Sequence, residues 1–344
     1  MRRGAIVQLV VLAAAISAAV TAIAIFIPWL PVQASEQRER IDFVFWFTTA
    51  ICIFIFAVVA SVSVYAGVKF RAKPDDDTDG KPVHGHTRLE IIWTVVPLVL
   101  VIAIAIVSAV ALAQNERLPS NHLKVDVTAQ QFAWSFSYPG QGDLSTGELH
   151  LPVDVPVEFR FEARDVLHSF WVPQFGQKQD AVPVAERKNR TRLVVTPTRV
   201  GTYPIICTEL CGLGHALMRA NVVVERPAAF RRWMRERRGA QGGGGTARLA
   251  GRAVYEQNGC GGCHVFGPAG SAGRVGPSLD RLEAEARRAN RGSLAAFTRE
   301  SIVNVGAYIE PGYQNVMPNT FGQLPKDQLD ALVDYLVQGA RNGG

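Results

Sequence analysis

A twelve-residue stretch between positions 207 and 218 carries two thiols, an imidazole and a thioether, from Cys207, Cys211, His215 and Met218. Soft sulfur donors combined with imidazole favour copper, and a single blue-copper centre would use one Cys, two His and a weak axial Met. The second Cys therefore predicts a pair of thiolates that bridge two copper ions. The alternative is a Cys2His2 zinc site, which makes no use of Met218.

A second imidazole is expected from an upstream strand, and the segment Asp165-Val-Leu-His168-Ser-Phe contains one. This segment is followed about forty residues later by Cys-x-Glu-x-Cys-x-x-x-His-x-x-Met, and together they resemble subunit II of the haem-copper cytochrome c oxidases. The resemblance implies a binuclear copper centre, CuA, in which Glu209 offers its backbone carbonyl. It implies these side-chain copper ligands: His168, Cys207, Cys211, His215 and Met218. It also implies that the Glu209 carboxylate faces a magnesium site shared with subunit I.

A second redox motif, Cys260-Gly-Gly-Cys263-His264, has the spacing of a c-type haem attachment site. Both thiols would add to the haem vinyl groups, and His264 would become the proximal ligand. By itself such a pair of cysteines could also be a redox dithiol or half of a zinc site. The residues that follow have the order of a class I cytochrome c, which implies that Met317 is the distal ligand. Alternatively, Met317 fills the core.

The N-terminal third of the chain is too apolar for a soluble protein. Apolar runs at 5–30, 43–68 and 91–113 are each long enough to cross a bilayer of about 30 Å. The first run follows Arg2 and Arg3 and precedes Val32-Gln33-Ala34, which resembles a signal-peptide cleavage site before Ser35. Residues 1–34 are therefore predicted as a cleaved signal peptide, with an additional transmembrane helix as the alternative.

The charge pattern predicts that the chain crosses a bacterial cell membrane more than once, with residues beyond 115 on the outer side. Basic residues concentrate in the loop between the second and third runs, while Arg38 and Arg40 stand in the short outer connection. The basic residues of that loop are Lys69, Arg71, Lys73, Lys81 and Arg88. The acidic run 75–77 does not change this prediction, because carboxylates contribute little to the rule. Cys52, within an apolar run, is expected to be a small buried residue.

The third apolar run opens with Glu90-Ile-Ile-Trp93-Thr-Val-Val-Pro97, which also resembles oxidase subunit II. The matching glutamate in that family borders the entrance to a proton-uptake path of subunit I, so the resemblance implies this role for Glu90. The alternative is an acidic residue at a helix start, stabilised by the helix dipole.

The remaining sequence predicts two further domains, and with the helical hairpin they make a multidomain membrane protein. Alternating segments within 123–224 predict a β-sandwich of cupredoxin type, with the copper loop between two strands. A basic connector, solvated or lipid-facing, and the Gly-rich run 239–245 follow, and then an all-α cytochrome domain. The predicted domains are the segments 1–34, 35–114, 115–226, 227–246 and 247–344.

Electron entry is predicted from the run Gln131-Phe132-Ala133-Trp134. Subunits II that take electrons from a soluble cytochrome usually have Trp at the first aromatic position, where this chain has Phe132, with Trp134 at the second. A fused haem domain could relax the need for that Trp, or the difference could be a tolerated swap in a packed face. A Gly-rich linker with a span on the order of 15–18 Å would let the haem domain search the copper face without tight docking.

Across nearly the whole mature chain the sequence therefore resembles subunit II of a caa3-type cytochrome c oxidase, and the following function is what this resemblance implies. Electrons would pass from cytochrome c through covalent haem and CuA to subunit I, coupled to proton translocation, and subunit III is a further expected partner. The net charge of +6 could indicate nucleic-acid binding, but the predicted outer location argues against it. Two alternatives remain, namely the copper subunit of a nitric oxide reductase and a membrane-tethered module for copper delivery or redox sensing.

Overall fold

The computed structural model describes residues 3–71, 82, 84–141, 144–242 and 246–342. The following features named above lie outside these ranges: Arg2, Lys73, Lys81, the acidic run 75–77 and positions 243–245 of the Gly-rich run. The chain divides into two compact units, Met1–Val32 with Glu39–Glu116, and Gln33–Arg38 with Arg117–Gly344.

The first unit contains three long apolar helices: α1 (Arg3–Phe26), α2 (Glu36–Lys69, whose first turn belongs to the second unit) and α3 (Thr87–Asn115). Each is long and apolar enough to cross a membrane, in agreement with the three predicted runs. Their side chains are almost entirely unburied within the chain, because the apolar surface is matched to lipid or to a partner. Cys52 was expected to be buried, but it is exposed on α2, because the chain itself leaves the surface of this helix uncovered.

Residues 117–226 form a β-sandwich, here called the sandwich domain. Its strands are β1 (Leu123–Gln130), β2 (Ala133–Tyr138), β3 (Leu144–Thr146), β4 (Leu149–Pro152), β5 (Val157–Ala163), β6 (His168–Trp171), β7 (Lys178–Ala181), β8 (Thr191–Val195), β9 (Gly201–Cys207) and β10 (Arg219–Glu225). One sheet has the order β3-β2-β1-β5-β8, and the other has the order β4-β10-β9-β6-β7. The predicted cupredoxin-like architecture is confirmed.

Aromatic side chains fill the space between the two sheets. Phe159 and Phe161 on β5 pack against Phe170 on β6, with ring centroids 5.7 and 5.2 Å from that ring. All three rings are buried, and burying each one contributes about 2 kcal/mol to folding. Because His168 lies two residues before Phe170 on the same strand, this core fixes its position.

A short segment before α2 also belongs to this unit. The Ala34 N–H donates to the Gln174 carbonyl at 3.0 Å, and the Ala34 carbonyl accepts from the Thr198 N–H at 2.9 Å. Ser35 donates its hydroxyl to the Phe175 carbonyl at 2.9 Å. Cleavage before Ser35 stays a prediction, and it would remove the backbone partners that Ala34 supplies.

Helix α4 (Pro227–Gly242) covers the basic connector predicted from the sequence, and its backbone includes residues 239–242 of the expected flexible run. Phe230 and Met234 are buried against the sandwich core, and Trp233 stacks on His150 with ring centroids 4.1 Å apart. The expectation of a solvated or lipid-facing connector is therefore corrected. An apolar face at helical spacing anchors the connector, while Arg231, Arg232 and Arg235 are exposed to solvent.

Residues 246–342 form the helical domain. Its helices are α5 (Thr246–Gln257), α6 (Cys260–Cys263), α7 (Leu282–Ala289), α8 (Leu294–Val303) and α9 (Lys326–Asn342). Four α9 residues predicted as core from their helical spacing are buried: Leu329, Leu332, Val333 and Leu336. Their shared cluster is separate from the sandwich core, which agrees with the predicted all-α cytochrome fold.

Candidate functional site

The first site lies at one end of the sandwich domain, where β6, β9 and β10 come together. Phe170 on β6 pairs with Cys207 at the end of β9, and the Cys207 N–H donates to the Met218 carbonyl just before β10. The loop between β9 and β10 is thereby closed at its base. Its ends bring the four sulfur and nitrogen donors of residues 207–218 next to His168 on the neighbouring strand.

The donor atoms form a tight buried cluster. One ligand atom each from His168, Cys207 and Cys211 lies within 4.8 Å of the others. The two Sγ atoms are 3.9 Å apart, and the Cys211 Sγ is 3.6 Å from His215 Nδ1 and 3.8 Å from Met218 Sδ. Two thiols, two imidazoles and a thioether thus face one small volume, which is a copper-selective combination.

His168 is oriented by a carboxylate. Its Nε2 lies 2.8 Å from Asp165 Oδ1, while its buried Nδ1 has no hydrogen-bond partner among the described residues. An unpaired buried ring nitrogen is costly, and a metal ion would satisfy it. The residues therefore fit a metal centre, with Asp165 fixing the ring orientation.

Asp165 is a functional residue that the sequence reading quoted without assigning it a role. Besides His168, its carboxylate accepts hydrogen bonds from the N–H groups of Gln131 and Val166, both at 2.7 Å. Burial opposes ionisation, but these three hydrogen bonds lower the pKa of Asp165 below its usual value. Its position three residues before His168 is the signal by which the sequence could have revealed it.

The two thiols differ in their tendency to ionise. Although burial opposes it, the neighbouring His168 and His215 rings and nearby backbone groups lower the pKa of Cys207 to about 6. Burial and the neighbouring Cys207 raise the pKa of Cys211 to about 12. Like charges this close disfavour each other, and metal cations that bind both sulfurs would offset the repulsion.

The remaining residues predicted for this site are also in place. The Glu209 carbonyl oxygen is 3.3 Å from Cys207 Sγ, and the Glu209 side chain is half-buried. Met218 is fully buried and His215 is half-buried. Three leucines of the same loop are exposed, which leaves an apolar surface beside the cluster: Leu210, Leu213 and Leu217.

The second site is a cavity in the helical domain. Cys260, Cys263, His264 and Met317 all line it, and the rest of its wall is largely apolar. Burial raises the pKa of Cys260 to about 12 and that of Cys263 to about 11. The structure thus brings all four residues predicted from the haem motif to one apolar cavity, which fits a macrocycle with a hydrophobic body.

His264 is held at the cavity wall by its backbone and its ring. Its Nδ1 lies 2.8 Å from the Pro277 carbonyl, which fixes the tautomer and leaves Nε2 without a hydrogen bond among the described residues. A Cβ at Gly276 would come within 2.4 Å of the ring, so only glycine allows this approach. Ser271 donates its hydroxyl to the His264 carbonyl at 2.9 Å. Burial lowers the pKa of His264, which favours the neutral imidazole that a metal binds.

The two aromatic residues predicted for electron entry are both buried. Trp134 is in the sandwich core, with its ring centroid 6.2 Å from that of His168. The Phe132 ring lies on the copper loop, where a Cβ at Gly214 would be 2.4 Å from the ring. Phe132 also lines the cavity of the helical domain. The Phe132 side chain is therefore shared between the two sites.

Glu90 lies in the first unit, in the first turn of α3. Its Oε1 accepts a hydrogen bond from the His86 N–H at 2.8 Å. This contact satisfies an N–H group at the helix start, as expected of an acidic residue there. Its role at a proton-path entrance stays a prediction.

Fold and sites together define a membrane-anchored electron-transfer protein with a cupredoxin-type domain and a c-type cytochrome domain. Residues 16–110 match the transmembrane domain of cytochrome c oxidase subunit II, and 146–226 match the periplasmic domain of that subunit. Residues 249–340 match cytochrome c. The chain belongs to the cytochrome c oxidase subunit II family.

The chain is similar to several curated and solved proteins. Cytochrome c oxidase subunit 2 of Alkalihalophilus pseudofirmus is 33% identical over 291 residues, which cover 81% of this chain and 81% of the relative. The same subunit of Synechocystis sp. is 34% identical and covers 60% of this chain and 74% of the relative. The solved periplasmic domain of subunit II from Bradyrhizobium japonicum is 26% identical with a TM-score of 0.33, covering 36% of this chain and 99% of that domain.

The broad function of the chain follows from its membership of this family. The chain is a subunit of an oxidoreductase complex, with a cytochrome c domain fused to the subunit as in caa3-type oxidases. Membership of the family and the matched domains imply CuA copper and haem as cofactors, with subunit I and a cytochrome c donor as partners. The match to the periplasmic domain implies that the sandwich domain lies on the outer side of the membrane.

One carboxyl group in the haem cavity predicts a pH-dependent stability. Glu285 on α7 lines the cavity and is 7% exposed. Burial and the nearby Glu310 raise its pKa from 4.5 to about 7, against the opposing effect of Arg288 and Arg281. The folded domain then keeps a proton that the unfolded chain has lost, so stability falls as the pH rises from 4.5 to about 7.

Replacing Glu285 with glutamine is expected to remove this loss. At pH 8 the helical domain should melt roughly 5 °C or more above the unmodified domain, as measured by the visible haem absorption of the intact oxidase during heating. Glu283→Gln, on the same helix but partly exposed, is the matched control. An unchanged pH dependence in the Glu285 variant would contradict the assignment.

Proposed function

We propose that this chain is the electron-entry subunit of a caa3-type oxidase, with each cofactor held by the residues brought together above. The copper ligands are the side chains of His168, Cys207, Cys211, His215 and Met218, with the carbonyl of Glu209. The haem is attached to Cys260 and Cys263 and held by His264 and Met317. The observation that carries the copper assignment is the buried, unpaired His168 Nδ1 beside two thiols.

The chain's contribution is to hold its donors rigidly in a dry environment. When bound, copper and haem iron supply one-electron chemistry, and Met/His ligation raises the potential of the haem. Cys207 and Cys211 are 3% exposed, so water is excluded from the thiols. Because β6, β9 and β10 fix the ends of the ligand loop, the donors need little rearrangement when their charge environment changes.

The surface around the copper loop fits the partner subunits. The exposed leucines at positions 210, 213 and 217 form an apolar surface suited to subunit I. We assign the half-buried Glu209 carboxylate to a magnesium site shared with that subunit, and Glu90 to the edge of its proton-uptake path. Subunit III is a further partner of the same complex.

In the membrane, α2 and α3 form a two-span hairpin in a bacterial cell membrane. Residues 1–34 serve as a cleaved signal peptide. The sandwich and helical domains then both lie outside the cell membrane. The apolar surfaces of α2 and α3, which the chain leaves uncovered, support this arrangement.

Metal analysis of the purified oxidase tests the two cofactor assignments. We expect two copper ions in the subunit II centre and one covalent haem per chain, because the donors suffice for a binuclear site and the motif for one attachment. Copper bound to subunit I is counted separately by preparing the outer domains alone as a comparison. Zinc in the sandwich domain, or a single copper with a blue-copper spectrum, would contradict the assignment. Oxygen consumption, measured beside nitric oxide consumption, tests the reaction.

A further inference from the structure

Side chains of the sandwich domain bond to the end of helix α5 in the helical domain. The Gln130 side-chain amide donates to the Asn258 carbonyl. Arg164 Nη1 donates to Asn258 Oδ1 at 3.2 Å and to Gln130 Oε1 at 3.4 Å. The Ser135 hydroxyl donates to the Glu256 carbonyl at 3.1 Å. Three polar side chains from the sandwich domain thus meet the end of one helix.

This arrangement matches what a helix end requires. The last carbonyl groups of a helix lack partners within the helix, and the helix dipole concentrates negative charge there. Gln130 and Ser135 donate to two such carbonyls, while Arg164 places a positive charge beside them. Gln130, Ser135 and Asn258 are all buried, so water does not compete effectively for these bonds.

The backbones of the two domains also approach closely beside the haem motif. A Cβ at Gly259 would come within 2.6 Å of Ala133 Cβ, and one at Gly262 within 3.3 Å. Gly259 additionally has φ +65°, a conformation that favours glycine. Arg237 on α4 adds an ion pair to Glu256, with 3.9 Å between Nη1 and Oε1. The two domains are therefore in close backbone contact at Ala133 and are joined by an ion pair at Glu256.

The contact covers the face that contains Phe132. Gln131, Phe132 and Ala133 line the haem cavity instead of facing solvent. The Gln131 side-chain amide also donates to the Cys211 carbonyl at 2.6 Å. Gln131 and Phe132 therefore touch both the copper loop and the cavity of the helical domain. This differs from the loosely docked haem domain expected from the sequence.

We infer that the helical domain docks on the sandwich domain through a fixed interface, held by Arg164, Gln130 and Asn258, that persists without the covalent linker. While it is docked, the helical domain covers the Phe132 face, so another protein cannot contact that face. The inference concerns binding between domains, so it does not depend on the proposed electron path. Its test can therefore fail or succeed separately from the proposed function.

The test is to cut the linker in the intact oxidase. A site-specific protease sequence replaces residues 243–245, and after cleavage the complex is run on a sizing column at about 1 µM. The haem-bearing fragment is followed by its visible absorption and by its mass. We expect most of it to elute with the complex. Complete release at this concentration would overturn the inference.

Two variants test the residues assigned to the interface. Arg164→Gln should weaken retention about tenfold or more, because it removes charge-assisted bonds to Asn258 and Gln130. Ala133→Leu should also release the fragment, because the larger side chain meets Gly259 and Gly262. Arg160→Gln is the matched control, since Arg160 pairs with Glu158 within the sandwich domain. An unchanged copper spectrum verifies folding, and retention equal to that of the control would overturn the role of Arg164.

Discussion

Replacing Cys207 or Cys211 with serine is expected to abolish the binuclear copper centre and to lower oxygen turnover by more than about 100-fold. The two thiols and His168 offer ligand atoms within 4.8 Å of one another, and a serine hydroxyl is a harder donor that suits copper poorly. The change should leave haem attachment intact, because Cys260 and Cys263 line a different cavity. Copper analysis, electron paramagnetic resonance and covalent haem content measure the two outcomes separately.

The control for both substitutions is Cys52→Ser. Cys52 is exposed on α2 and lies outside both candidate sites, so its removal should change neither cofactor. The sandwich core and the helical-domain core are separate clusters, which supports independent assembly of the two sites. Loss of copper and haem together in the Cys207 variant would argue against that independence.

Truncating the chain after Arg238 is expected to leave an intact copper site that soluble cytochrome c reduces poorly. The copper ligands and the anchoring residues Phe230, Trp233 and Met234 all remain in the shortened chain. Removing the helical domain exposes the Phe132 face. This face has Phe at the position where subunits II that accept electrons from a soluble cytochrome usually have Trp. Steady-state oxygen consumption with added cytochrome c should fall at least about tenfold.

A Phe132→Trp version of the truncated oxidase is the matched comparison. It should recover part of the lost rate, because the larger aromatic ring lies on the copper loop beside Gly212 and Gly214. An unchanged copper spectrum in both versions separates slow reduction from damage to the site. Full turnover by the truncated oxidase without the substitution would contradict entry through the helical domain.

The candidate donor residues were predicted from the sequence alone. The segments 207–218 and 260–264 each place cysteine thiols and a histidine imidazole a few residues apart. Few metals or cofactors bind such combinations of sulfur and nitrogen donors. The three apolar helices were equally predictable, because bilayer thickness sets the length of an apolar run. The helical spacing of Leu329, Leu332, Val333 and Leu336 likewise predicted their burial correctly.

Other features depend on residues that are distant in the sequence and were decided only by tertiary structure. Asp165 orients His168 and also binds the backbone of Gln131, a link across two sheets that no local pattern encodes. The connector, now helix α4, was expected to be solvated or lipid-facing, but folding of the sandwich places His150 where Trp233 stacks on it. Glycine-rich composition also indicated a freely moving haem domain.

The docking of that domain shows most clearly what the sequence leaves open. Gln130, Arg164 and Asn258 are ordinary polar residues in the sequence, and they become partners because the end of α5 presents carbonyl groups to them. Which surfaces meet depends on shape and on hydrogen bonds between separate domains. The sequence by itself thus determined which atoms are candidate donors for copper and haem. Tertiary packing decided where each site lies and which surface remains open, because burial and pairing are properties of the folded chain.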